Sequence, residues 1–226
     1  MKKKAISSDQ MYQIEENGHT RLGMNRFLMM ENAGHGVADF LAEKFKGRLK
    51  SKKIVAICGP GNNGGDGFVA SRHLAGYGPK ITVVLLASPS DLRSEEARLN
   101  WGIIEKMDSI DIIFGKELID QVKQRIATAD IILDSIFGTG VKGEIREPYS
   151  SAIDAVNTNS RAYVVAIDIP SGFDPNTGKI HEKCVRANAT VTFHRAKLGL
   201  AKGRKYTGPV HVEWIGIPPE AEKGVI

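Results

Sequence analysis

Short apolar runs that alternate with helical stretches constrain this chain more than any other feature. Residues 54–58, 81–86, 110–114, 131–134, 163–168, 189–193 and 210–214 are rich in Ile, Val, Leu and Phe. Several are apolar throughout instead of alternating with polar residues. A strand of that kind is buried on both faces, which is the condition of a parallel sheet covered by helices on each side. Between the runs, residues 67–77, 94–106, 116–127 and 148–158 carry apolar side chains near helical spacing. Ahead of the first run, Ser8 or Asp9 is expected to cap a short helix reaching about Asn17, and a longer amphipathic helix spans about 25–46. Gly34 and Gly36 interrupt that helix, where glycine costs up to about 1 kcal/mol relative to alanine. Close approach of another backbone would account for them. The pattern predicts an α/β fold: a Rossmann-like three-layer α/β/α sandwich with a mostly parallel central sheet and N-terminal helices. No linker divides it. One domain over 1–226 is expected, with a helical segment at 8–47 and a Rossmann-like core at 53–217.

Composition narrows the class. The 226 residues are 42% hydrophobic and 25% charged, as in ordinary globular chains. No run approaches the roughly 20 apolar residues that cross a bilayer. The start, Met1-Lys2-Lys3-Lys4-Ala5, lacks the apolar stretch of a secretory signal. Cys58 and Cys184 are too few for a disulfide framework and fit free thiols in a reducing cytoplasm. Six histidines without ligand spacing give no zinc signature. The net charge is +5, with acid-free basic runs at 44–53 and 195–205. Such runs attract phosphate-bearing ligands, but without interleaved aromatics they read more simply as solvated surface than as a nucleic-acid site.

In a doubly wound sheet, ligands bind beyond the carboxyl ends of the strands, near the point where strand order reverses. That rule selects four segments, of which the one after the second strand, Ala87-Ser88-Pro89-Ser90, is chemically quieter. After the first strand, Gly59, Gly61, Gly64, Gly65 and Gly67 fall within nine residues around Asn62, Asn63 and Asp66. The spacing satisfies G-x-G-x-x-G, yet the acidic residue that a dehydrogenase places about 20 positions on is missing, and no Gly-Lys-Ser/Thr makes it a P-loop. The glycines would let backbone N–H groups approach an anion at a helix start. Asp66 is expected either to cap the following helix or to bond a sugar hydroxyl, and the asparagine pair offers amide oxygens to a cation. Asp134 and Asp168 each stand where a strand meets a glycine-containing loop, so their carboxylates are expected to converge across neighbouring strands. Ser171, in Pro170-Ser171-Gly172, lacks the Gly-x-Ser-x-Gly elbow and reads as a structural or cation-binding hydroxyl.

Taken in order, 60–67 (PGNNGGDG), 134–140 (DSIFGTG) and 168–172 (DIPSG), with 30–34 (MENAG) ahead of them, resemble the NAD(P)H-hydrate epimerase family, also called the YjeF N-terminal domain. The resemblance runs from about residue 5 to 217. It implies interconversion of the R and S forms of hydrated NADH and NADPH, a metabolite-repair step, in a protein that is often a homodimer and holds a potassium ion. By motif, the resemblance assigns the damaged dinucleotide to Asn62, Asn63, Gly64, Gly65, Asp66, to Gly138, Thr139, Gly140, Val141, Lys142, Gly143, Glu144, and to Asp168. It assigns potassium to Asn63, Asp134 and Ser171. Some family members are fused to a dehydratase that removes the hydrate; here the residues after 217 leave no room for it, so a separate dehydratase is the expected functional partner. The reacting centre is a hemiaminal carbon, carbon 6 of the nicotinamide ring. Loss and return of its hydroxyl, or opening and closing of the ring, both require proton transfer that a carboxylate can perform. Asp168 or Asp134 is expected to be that acid/base, with Lys142 assisting electrostatically. Two other readings stay open: a non-catalytic nucleotide- or RNA-binding scaffold of the same fold, favoured by the basic runs, and an NAD-dependent dehydrogenase, weakened by the missing acid.

Overall fold

The structure, a computed structural model, describes residues 4–115, 118–140, 144–180 and 182–226. Its centre is a seven-stranded sheet of β1 (Lys53–Cys58), β2 (Lys80–Leu85), β3 (Ile110–Phe114), β4 (Ile131–Ser135), β5 (Tyr163–Ile167), β6 (Ala189–Phe193) and β7 (Val210–Glu213). The spatial order is β3-β2-β1-β4-β5-β6-β7. Every pairing is parallel, so the sheet is wholly and not merely mostly parallel. Strand order reverses between β1 and β4, which makes the crevice at their carboxyl ends the topological switch point.

The apolar runs of β1, β2, β4, β5 and β6 are buried on both faces, as their composition requires, whereas the edge strands β3 and β7 are partly exposed. On one side, α1 (Ser8–Leu22), α2 (Arg26–Lys44), α3 (Asn62–Ala75) and α4 (Glu95–Ile104) supply Ile14, Leu41, Phe68 and Trp101 to a core shared with Ile54, Leu85 and Leu133. On the other, α5 (Ile119–Ala127) and α6 (Tyr149–Thr158) bring Val122, Ile126 and Ile153 against Ile57, Val84 and Ile132. A short α7 (Arg204–Thr207) leads into β7.

The N-terminal helix is longer than expected. Ser7, not Ser8 or Asp9, caps it: the Ser7 hydroxyl accepts from the Gln10 amide at 3.1 Å, and the Gln10 side chain accepts from the Ser7 amide at 3.0 Å. This reciprocal pair is a capping box. The helix continues past Asn17 until Gly23, at φ 71°, adopts the left-handed turn that ends it.

The glycine loop is also largely helix. α3 begins at Asn62 instead of near residue 67, so only Gly59-Pro60-Gly61 is loop. The reason is packing. A Cβ on Gly64 would stand 1.9 Å from the Gly59 carbonyl oxygen, and one on Gly67 would meet Ser135 Oγ at 2.6 Å and Cys58 Sγ at 2.8 Å. One on Gly65 would strike the Met30 side chain at 2.6 Å. These glycines let the first turns of a helix press against β1, β4 and α2, which aims its N-terminus at the switch point. Gly34 does the same from α2, where a Cβ would lie 2.4 Å from Val69 Cβ and 2.7 Å from the Ala70 amide. Gly36 instead makes room for the Glu213 side chain.

Candidate active site

A cavity of about 690 Å³ opens at the carboxyl ends of the strands, within the range of sites that enclose small molecules. The start of α3 contributes Asn62, Asn63 and Asp66, and the loop after β4 contributes Gly138, Thr139, Gly140 and Glu144. Asp168 follows β5, and Lys197 follows β6. One wall is α1, through Ser8, Met11, Tyr12 and Glu15. Gly64 and Gly65, assigned above to dinucleotide contact, are buried in packing and do not line the cavity. Val141, Lys142 and Gly143 lie outside the described residues.

Asp168 is held in an uncommon conformation. Its φ is +63°, in the left-handed region that Asp visits more readily than most residues. A hydrogen bond from the Ile169 amide to the Ile167 carbonyl, 2.8 Å, closes a tight turn around it. His194, at the end of the neighbouring β6, repeats the arrangement: φ is +63°, and the Arg195 amide donates to the Phe193 carbonyl at 2.6 Å. Two adjacent strands therefore end in the same kink. The second kink sends the chain back so that Lys197 Nζ reaches Asp168 Oδ1 at 2.6 Å. Thr192 Oγ1 donates to the same carboxylate oxygen at 2.9 Å and accepts from Lys197 at 3.0 Å, while the Phe193 carbonyl takes a further Lys197 N–H at 3.1 Å. The lysine side chain is 1% exposed and the aspartate 13%.

Asp66 and Glu15 line the same cavity, as do Glu96 and Glu144. Burial pushes Asp66 well above the usual carboxylate range; the charges of Asp168 and Glu15 push the same way, and Lys197 opposes them. Asp66 is no cap: it sits in the second turn of α3, whose first turn is capped by no side chain. Glu15 is raised to about 7, first by burial and then by Asp168, against the pull of Lys197 and Arg26.

Asp134 does not converge with Asp168. It is fully buried behind the cavity, on the β4 face shared with Ile132. Its Oδ1 accepts from Ser171 Oγ at 2.5 Å and its Oδ2 from the Ser171 amide at 2.7 Å. Burial raises its pKa to about 6, and the bonds from Ser171 and Ile136 restrain the rise. Ser171 Oγ also accepts from the Phe137 amide at 3.0 Å. Among the described residues, the buried Asn63 amide has neither its oxygen nor its nitrogen hydrogen-bonded, and a Cβ on Gly138 would stand 3.4 Å from its Cγ. An orphaned buried amide is costly. The donor set, an amide oxygen, a carboxylate and a hydroxyl, is all oxygen and suits a hard cation.

Sequence reasoning missed Lys197 and Glu15. Lys197 lies within a basic run that reads as surface, yet it follows a strand end, and applying the switch-point rule to β6 selects it. Glu15 shares a helical stripe with Ser8, Met11 and Tyr12, so a carboxylate on the inward face of α1 was its signal. The run at 195–205 is in part internal for a second reason: Arg195 makes a two-pronged pair with Glu222, Nε to Oε1 at 2.7 Å and Nη2 to Oε2 at 2.6 Å.

Fold and site together define a Rossmann-type α/β protein with a polar, carboxylate-lined cavity at the position where this class binds its ligands. The chain belongs to the family described as YjeF-related protein N-terminus, which it matches over residues 27–199. It is 51% identical to an NAD(P)H-hydrate epimerase of Cenarchaeum symbiosum over 98% of this chain and 99% of that protein. It is 43% identical to a bifunctional NAD(P)H-hydrate repair enzyme of Pyrobaculum aerophilum, covering 96% of this chain and 43% of that longer protein. The crystal structure of a yeast protein, YNL200c, superposes with a TM-score of 0.82 at 26% identity, covering 97% of this chain and 92% of the yeast chain.

Proposed function

We infer that this chain is an NAD(P)H-hydrate epimerase, an isomerase of metabolite repair that interconverts the R and S epimers of hydrated NADH and NADPH. One observation carries the reading: identity of 51% extends over 98% of the chain and so takes in every segment that builds the cavity. The cavity then supplies suitable chemistry. The N-terminus of α3 offers backbone N–H groups and a favourable dipole to the pyrophosphate. Asp168 is the cavity carboxylate with a fixed partner. Its kinked backbone, Thr192 and Lys197 hold it in one orientation, which a proton-transfer group needs at the hemiaminal carbon. Asp134, enclosed by Ser171, has no path to substrate and acts in support of the loop after β4.

Potassium is the proposed bound ion, with Asn63, Asp134 and Ser171 as its holders. The orphaned Asn63 amide supports that assignment. When bound, potassium would supply positive charge that ties α3 to the loop after β4. Among the described residues no helix is long and apolar enough to cross a membrane. A cytoplasmic setting is proposed on the two free, buried cysteines. A homodimer is proposed on the family resemblance, with β7 paired along one edge only and Trp214 exposed beside it. A separate dehydratase is the proposed consumer of one epimer.

The test is chiral separation of an enriched epimer of hydrated NADH, followed over time with and without the protein in potassium buffer. Approach to the epimer equilibrium well above the spontaneous rate is expected. A rate equal to the spontaneous one overturns the reading.

A further inference from the structure

Inverting a hemiaminal carbon requires a proton to be given on one face of the ring and taken on the other. Because the reaction is reversible, each group must serve as acid in one direction and base in the opposite one. The cavity holds one carboxylate with a fixed ammonium partner, Asp168 with Lys197. Glu15 on α1, Arg26 at the start of α2 and Asp66 on α3 line the same space, as do Arg93, Glu96, Glu144 and Arg146, and Glu16 pairs with Arg26. Among the described residues, nothing hydrogen-bonds to the Glu15 carboxyl. Its spacing from Ser8, Met11 and Tyr12 places it on the cavity face of α1.

We propose that Glu15 is the second proton-transfer group of the epimerisation, acting with Asp168 through one proton that the two carboxyls share. The proposal rests on the epimerase reading above. In one direction the Glu15 carboxyl gives its proton to the hydroxyl on carbon 6. The C–O bond breaks with its electron pair and water leaves, while the ring nitrogen's lone pair forms the N1–C6 double bond. Water then adds to the opposite face, its proton passes to Asp168, and the nitrogen regains its lone pair. The reverse reaction starts from protonated Asp168 and returns the proton to Glu15. No oxidant or covalent enzyme intermediate enters.

Burial and the neighbouring Asp168 place Glu15 near 7, where giving and taking a proton are almost equally favourable. Asp66 lines the same cavity, and burial and the charges of Asp168 and Glu15 push its carboxyl up as well.

The experiment is the pH dependence of kcat/KM, measured in both directions from each enriched epimer, for the wild type, Glu15→Gln and Glu15→Asp. In the wild type, kcat/KM is expected to fall about tenfold per pH unit above roughly 7 as the shared proton is lost. The limb must be the same in both directions, because the equilibrium between the epimers does not change with pH. Glu15→Gln is expected to lower kcat at least tenfold with KM within twofold, and to flatten that limb. Glu15→Asp is expected to restore part of the rate together with the limb. A wild-type profile flat between pH 6 and 8, or a Glu15→Gln enzyme with wild-type kcat and limb, overturns the role of Glu15 and leaves the epimerase reading intact. A wild type no faster than the spontaneous reaction overturns both.

Discussion

Lys197 Nζ lies 2.6 Å from Asp168 Oδ1, a contact made across 29 residues of sequence by the matching kinks that end β5 and β6. Both side chains are largely withdrawn from solvent. Removing one partner of such a pair leaves an uncompensated buried charge, at a cost of about 3–5 kcal/mol. Lys197→Met, which keeps the aliphatic stem, is expected to lose stability on that scale and to lower kcat more than tenfold. Combining it with Asp168→Asn is expected to recover much of the stability and none of the activity. Urea unfolding of the two single variants and the double variant measures the coupling. Purely additive losses would show that the pair does not act as a unit.

The Arg195–Glu222 pair ties the C-terminal segment to the turn after β6. Its guanidinium, with His194 at 2.8 Å, draws Glu222 down to about 2. The native pKa lies below the unfolded value near 4.3, so the pair's stabilisation is fully present above that unfolded value. It is lost as pH falls through the window from about 4.3 to about 2. Glu222→Gln is therefore expected to be less stable than the wild type at pH 6 and to approach it at pH 2.5. Parallel denaturation curves at the two pH values check this. A gap that stays constant with pH would assign the effect to packing.

The sheet was legible because double burial leaves unbroken apolar runs, and even the β7 run stands out. The start of α3 was not, because glycine clusters signal turns, while here Gly64 and Gly67 are needed for contact with β1 and β4. The same ambiguity misplaced Asp66, which looks like a cap only if the helix begins after it. Asp134 and Asp168 do stand at strand ends, as read from the sequence, but their directions depend on the pleat and on the kink at Asp168, neither of which spacing reveals. Lys197 was legible only in part: the strand-end rule marks the segment after β6, but a basic run does not show which of its members turns inward.

Helical glycines that permit close packing should respond to alanine differently from those facing open space. Gly34 has Val69 Cβ only 2.4 Å from where its own Cβ would stand, whereas Gly102 on α4 has nothing within 4 Å. Alanine gains up to about 1 kcal/mol of helix propensity at either site, but overpacking at Gly34 costs about 1–3 kcal/mol or more. Gly34→Ala is expected to be destabilised and Gly102→Ala stabilised by roughly 0.5–1 kcal/mol. Thermal melts of both variants decide it, and a stabilised Gly34→Ala would contradict the tight α2–α3 contact.

Asn63 offers the sharpest test of the cation. Among the described residues its buried amide has no hydrogen-bond partner; it lies beside Gly138, and the Asn63 backbone carbonyl accepts from Ser135, the residue after Asp134. A bound ion that satisfies its oxygen stabilises only the folded state. Tenfold saturation of one site contributes about 1.4 kcal/mol, or roughly 3–6 °C in Tm. The wild type is expected to melt that much higher in potassium chloride than in tetramethylammonium chloride at equal ionic strength. Asn63→Leu, close in volume and without the orphaned amide, is expected to melt at the same temperature in both salts. It should melt no lower than the wild type in tetramethylammonium, since the buried polar cost has gone. Equal melting of the wild type in the two salts would remove potassium from the site, and a salt increment retained by Asn63→Leu would move it elsewhere in the molecule.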